Sequence, residues 1–175
     1  MIAIRTLLTL TLLLGVAYPL AVTGLAQVLF PWQANGSQLT NDKQQLIGSA
    51  LLAQKFERAE YFHSRPSASD FATIGSGASN LGMSSPLRAE FANTAAKAQG
   101  DNPSPTQLTR SGSGLDPHLP VDAVLAQVTR VARERGLDPA SLTERVKSAA
   151  QAGILGPQVV NILQLNLLLD KDKAA

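Results

Sequence analysis

LLTLTLLLGVAYPLAVTGLAQVLF, residues Leu7 to Phe30, is the stretch whose reading decides the fold. It lies inside a segment without charge that runs from Thr6 to Asn41. As a helix it is about 36 Å long, enough to cross a hydrocarbon core of about 30 Å with some tilt. A core helix of a soluble domain seldom stays apolar on every face over that length. The alternative is a cleaved secretory signal, whose apolar part is shorter, about 7 to 15 residues, and ends in small residues. Here the run ends in Leu29-Phe30-Pro31-Trp32, and only Ala21-Val22-Thr23 approaches a small-x-small site. The reading is therefore an uncleaved anchor. Pro19 removes a backbone hydrogen bond mid-run and is expected to kink the helix. Trp32 stands where an interfacial aromatic belongs.

Charge sets the topology. The amino terminus and Arg5 are positive on the near side, whereas Asp42 and Lys43 cancel on the far side. The positive-inside rule then predicts a cytoplasmic amino terminus at residues 1–6, a transmembrane helix at 7–30 and an extracytoplasmic domain at 31–175.

That domain is long enough for one core of its own. The chain holds 15 Lys plus Arg, of which only Arg5 precedes the anchor, against 13 Asp plus Glu, with no single-sign block. No basic stripe interleaved with aromatics is present, which argues against a nucleic-acid partner. There is no cysteine, and so no thiol catalysis, disulfide or Cys-based zinc site.

Beyond a polar exit loop, Gln33 to Thr40, the apolar Leu46 to Phe56 reads equally as a strand or a short helix. Tyr61-Phe62-His63 reads as a short strand closed by Arg65-Pro66-Ser67, and Ser67 to Ser85 as a long loop. Pro86 to Gln99 is predicted to be a helix stopped by Gly100. Leu108-Thr109 reads as a short strand. The last third is helical. A stripe of Val121, Val124, Leu125, Val128, Val131 and Ala132 predicts one helix over Val121–Arg135, stopped by Gly136, with Arg130, Arg133 and Arg135 as a solvated end. Asp138 caps a second helix with Pro139 at its first position, core residues Leu142, Val146 and Ala149, and Gly153 as its stop. A third, nearly all-apolar helix is expected from Gly156-Pro157 to about Asp170. The fold class is thus one amino-terminal transmembrane helix and a mixed α+β domain with a helical carboxy-terminal third. Gly-Leu-Asp-Pro occurs at Gly114–Pro117 and at Gly136–Pro139, read as reuse of one helix-entry or turn device, with Asp116-Pro117-His118 expected to hold the entry to the Val121–Arg135 helix.

A search for chemistry returns no catalytic or metal-binding constellation. His63 and His118 are far apart, without HExxH or a carboxylate set for zinc. Ser113, Asp116 and His118 make a triad only on paper, because Asp116 and His118 flank Pro117 and no G-x-S-x-G is present. Gly75-Ser76-Gly77 and Gly112-Ser113-Gly114 lack the third glycine of a dinucleotide loop and the Gly-Lys-Ser/Thr of a P-loop, leaving turns with positive φ as their reading. The alternative to a subunit of a larger assembly is an independent anchored binding module or hydrolase.

Ordered motifs carry the reading further. GSALLAQKF at Gly48–Phe56, YFHSRPSA at Tyr61–Ala68, SNLG at Ser79–Gly82, SGSGLDPH at Ser111–His118, Gln127-Val128 with Arg130-Val131-Ala132, and VNILQLN at Val160–Asn166 resemble the C subunit of bacterial Kdp-type potassium-transporting ATPases. The resemblance spans nearly the whole chain, anchor included. Ala53, Ala78 and Leu119-Pro120 depart from the family pattern, and none removes a catalytic group.

The resemblance implies a non-catalytic subunit of an ATP-driven potassium importer in the cell inner membrane. Such a subunit is required for assembly with a potassium-translocating subunit and a P-type ATPase subunit. It implies no cofactor for this chain itself, since ATP and potassium are used by the complex. The family is also described as binding ATP, whereas the charge topology puts this domain on the side of the membrane away from cytoplasmic ATP. The polar loops supply the expected partner surface: Arg65, Pro66, Ser67, Asn80, Ser111, Gly112, Ser113, Gly114, Asp116 and His118.

Overall fold

The computed structural model describes residues 1–41, 43–99, 103–153 and 156–174. Asp42 and Gly100, which entered the topology and helix-stop arguments, lie outside the described residues. The chain divides into two compact units, Met1–Ser49 and Ala50–Ala175.

The first unit is dominated by α1, Ile2–Leu29, 28 residues long with a mean hydropathy of 1.8 over its most apolar window. It begins five residues before the apolar run and ends one before Phe30, whose φ of −137° breaks the helix. Pro19 has a local answer. A proline ring collides with the carbonyl four residues earlier, here that of Gly15. The helix widens into a π turn over Leu13–Ala17, with the Tyr18 N–H donating to the Leu13 carbonyl. No side chain of the helix is buried, so its apolar surface calls for lipid or partner helices.

The expected exit loop is instead ordered. A short helix α2, Pro31–Ala34, leads into β1, Gln38–Thr40, which pairs antiparallel with β2, Leu46–Ser49. Asn41 closes the hairpin, its Oδ1 accepting from the N–H groups of Lys43 (3.0 Å) and Gln45 (2.9 Å). Side-chain composition alone misread this segment, because a turn-forming Asn can pair a short polar strand with an apolar one. Leu46–Ser49 is thus a strand, and the apolar residues after it are irregular chain.

The second unit has α3 (Pro86–Gln99), a 3₁₀ turn (Pro105–Leu108), β3 (His118–Pro120), α4 (Val121–Leu125), α5 (Val128–Arg135), α6 (Pro139–Ser148), β4 (Val159–Asn161) and α7 (Ile162–Ala174). β3 and β4 pair antiparallel, with Leu119 opposite Val160. Leu119 and Val160 join Phe62, Val124, Val131, Leu142, Val146, Ile162 and Leu165 in one buried core.

Several expectations are corrected here. Leu108 closes a 3₁₀ turn and starts no strand. The long helix splits into α4 and α5 at Ala126-Gln127, where the Gln127 N–H bonds the Val124 carbonyl three residues back, a tighter turn than α. The second helix ends at Ser148, well before Gly153, because Gln151 turns away to pair with Val159. The third begins only at Ile162, since Val159–Asn161 is taken by β4. The stop at Gly136 (φ 66°) and the Asp138 cap, whose Oδ2 accepts from the Ser141 N–H at 2.8 Å, are as expected.

The strand expected at Tyr61-Phe62-His63 does not form among the described residues: Tyr61 lies in a bend, its N–H donating to the Arg58 carbonyl at 3.1 Å, and no strand pairs with the segment. Its backbone is paired by side-chain amides. Asn166 accepts from the Phe62 N–H and donates to its carbonyl, both at 2.9 Å. Gln127 does the same for His63, at 2.8 and 3.0 Å. The arginines expected at a solvated helix end serve this segment too. Arg130 donates to the Tyr61 carbonyl at 3.0 Å, Arg135 donates to the Glu60 carbonyl at 2.7 Å and pairs with Asp170 at 2.9 Å, and only Arg133 is left exposed. Burial depresses the Arg130 pKa, but the guanidinium stays charged.

Candidate functional site

The polar loops read as partner surfaces meet each other inside the domain. Arg65 reaches back to the segment ahead of the second loop, its Nη2 donating to the Arg110 carbonyl at 3.0 Å and to Thr109 Oγ1 at 3.3 Å. Next to it, the Pro66 carbonyl accepts from the Ser111 N–H at 2.9 Å. Ser67 Oγ accepts from the N–H groups of Ser69 (3.2 Å) and Phe71 (3.0 Å), folding the first loop into a turn.

Ser111 is buried, and its Oγ accepts from the N–H groups of Gly114 (3.2 Å) and Asp116 (3.4 Å). Ser113 Oγ accepts from the Leu115 N–H at 3.1 Å. Gly114 has φ 75°, and a Cβ there would stand 3.1 Å from the Gly77 carbonyl oxygen and 3.3 Å from both Ser67 Oγ and Ser69 Oγ. The two loops therefore close on each other at a point where only hydrogen fits. Of the glycines in the two Gly-Ser-Gly loops, Gly114 alone takes the positive φ expected for all.

Asp116 Oδ1 accepts from the His118 N–H at 3.0 Å and lies 3.7 Å from the same ring's Nδ1. The turn it holds opens β3, not a helix as expected. Both Gly-Leu-Asp-Pro copies share the device: a left-handed glycine, then an aspartate accepting a backbone N–H just beyond the proline. Pro120, at the N-cap of α4, provides no side-chain cap, and the Val121 N–H donates instead to the Gln158 carbonyl at 3.2 Å. Among the described residues no hydrogen bond joins Ser113 to His118, so the paper triad is not assembled.

Six of the ten candidate residues border two depressions, whereas Pro66, Ser67, Ser113 and Gly114 line neither. Arg65, Asp116 and His118 border an open one of about 470 Å³, floored by Pro120 and Val159. Asn80, Ser111 and Gly112 border a narrower cleft of about 230 Å³ between α3 and the two loops. Sequence reasoning missed the arginines of that cleft, Arg88 and Arg110, because neither sits in a motif. Arg110 stacks its guanidinium 4.1 Å from the centroid of the Phe91 ring on α3.

One membrane-length apolar helix precedes a mixed domain of helices and two small sheets, whose polar loops are bound largely to one another. The family model described as K+-transporting ATPase, c chain (KdpC) matches residues 1–171. The Potassium-transporting ATPase KdpC subunit of Pseudomonas aeruginosa (strain PAO1) is 50% identical over 171 residues, covering 95% of this chain and 93% of the relative. Those of Pseudomonas putida (strain W619) and Pseudomonas entomophila (strain L48) are 49% and 47% identical, each over 97% of this chain and over 94% and 92% of their own. The chain belongs to the KdpC family, the C subunits of Kdp potassium-transporting ATPases.

Proposed function

We propose that this chain is a non-catalytic subunit that stabilises the assembled Kdp complex, with its amino terminus in the cytoplasm and its domain on the outer face of the inner membrane against the potassium-translocating subunit. The observation that carries this reading is the inward use of the loop polar groups. Ser111, Ser113 and Asp116 spend their side-chain oxygens on backbone N–H groups of their own loop, which fixes a surface and leaves no activated nucleophile. The positive flank at Arg5 supports the orientation. The P-type ATPase subunit, on this reading, carries out ATP hydrolysis, and the present chain assists it through assembly.

The test is detergent extraction of the tagged chain expressed with its complex. Co-purification of the potassium-translocating and ATPase subunits is the expected result. Recovery of the chain alone, or ATP turnover by the chain alone, contradicts the proposal.

A further inference from the structure

We infer that the cleft between α3 and the two loops is a docking site for an acidic segment of a larger subunit, with Arg110 and Arg88 receiving its carboxylate. The inference rests on the subunit reading above and names the surface through which it acts.

Both arginines border the cleft, together with the polar groups of Ser79, Asn80 and Thr109. The ion pairs among the described residues use other cations: Lys55, Arg58, His118, Arg133, Arg135, Arg145 and Lys147. Arg110 Nε is buried and has no hydrogen-bond partner among the described residues. Its guanidinium is held over the Phe91 ring, so the donor fork is positioned before anything binds. Among the described residues the Arg88 side chain makes one long hydrogen bond, 3.5 Å to the Met83 carbonyl. Two positive groups in one cleft, without a described carboxylate paired to either, fit a planar anion that accepts two hydrogen bonds at once.

The rim identifies the source of that anion. Leu87, 62% exposed, borders an adjoining depression of about 540 Å³ that Phe91 and Arg110 share, and Met83, 84% exposed, lies beside Arg88, which donates to its carbonyl. A free phosphate makes no use of such residues. Two such side chains are less than the contiguous apolar patch that acyl chains would cover. A polypeptide presenting Asp or Glu beside apolar residues uses both the arginines and the rim.

A photo-crosslinking residue at Met83 or Leu87, in the full chain co-expressed with its complex, tests this. The expected product joins the chain to a larger subunit at a segment containing Asp or Glu. Arg110→Glu should cut the yield about tenfold or more, and Arg88→Glu should act in the same direction, whereas Arg133→Glu should not. Reversing the identified carboxylate to Lys should restore the yield in Arg110→Glu, a rescue that a merely misfolded variant would not show. Equal crosslinking in wild type and both cleft variants, or crosslinks to lipid alone, overturns the docking site. Wild-type chain that still co-purifies with the larger subunits in that case leaves the subunit reading intact. Failure of the wild type to co-purify counts against the subunit reading itself.

Discussion

Asn166 serves Phe62 as a neighbouring strand would, accepting its N–H and donating to its carbonyl across 104 positions of sequence. Both residues are buried, so the pairing is made where water cannot replace it. Gln127 repeats the arrangement one residue on, at His63. Two side-chain amides, one at the N-cap of α5 and one on α7, thus dock this segment, and the Arg65–Ser67 corner that pins the second loop follows directly from it.

Asn166→Ala should accordingly be among the most damaging single changes in the domain. It strands two backbone groups, at about 1–3 kcal/mol each. Limited proteolysis of the full chain in detergent should show faster cleavage around residues 58–67, while Asn93→Ala, exposed on α3, should leave the pattern unchanged.

Gly114→Ala should loosen the junction of the two loops. The left-handed backbone costs a Cβ-bearing residue about 1–2 kcal/mol, and the 3.1 Å approach to the Gly77 carbonyl adds to it. Gly112→Ala, with open space around it and no positive φ, is the matched control. A thermal midpoint lowered in the first and unchanged in the second is the expected pair of results.

Asp116→Ala removes an acceptor from the turn into β3, at about 0.5–2 kcal/mol by analogy with a helix cap. Membrane insertion should be unaffected, while complex yield and growth at low potassium should fall. Unchanged yield and growth would show that the turn is local structure only.

The anchor predicts its own mature form. Mass spectrometry should find residues 7–30 retained, and a reporter active only in an oxidising compartment should work when fused after Ala175. Activity of a cytoplasm-only reporter at that site would reverse the orientation.

Tyr61 has its pKa raised first by burial and then by its hydrogen bond to Asp170 at 3.1 Å. The folded state therefore holds this proton more tightly than the unfolded chain. Its contribution to stability is complete below the unfolded value of about 10 and is lost as pH rises through the folded value. In a Tyr18→Phe background Tyr61 is the sole tyrosine, so its absorbance titration should have a midpoint above the ordinary phenol value and shift downward in Asp170→Asn.

The sequence by itself determined the membrane-length helix, α3, the Gly136 stop, the Asp138 cap and the family. Each rests on a signal confined to neighbouring residues: continuous hydropathy, a 3.6-residue stripe, a capping pair, or an ordered run such as Ser111–His118. Tertiary structure alone decided that Tyr61–His63 pairs with side-chain amides and not, among the described residues, with a strand, that Arg130 and Arg135 turn inward, and that α7 begins only after β4. It also decided that Arg88, Phe91 and Arg110 border one cleft. These features depend on partners distant in sequence, from Phe91 with Arg110 at 19 positions to Phe62 with Asn166 at 104. A side-chain amide or guanidinium that pairs with distant backbone has no period and no fixed spacing, so its role exists only once the chain has folded and brought the two together.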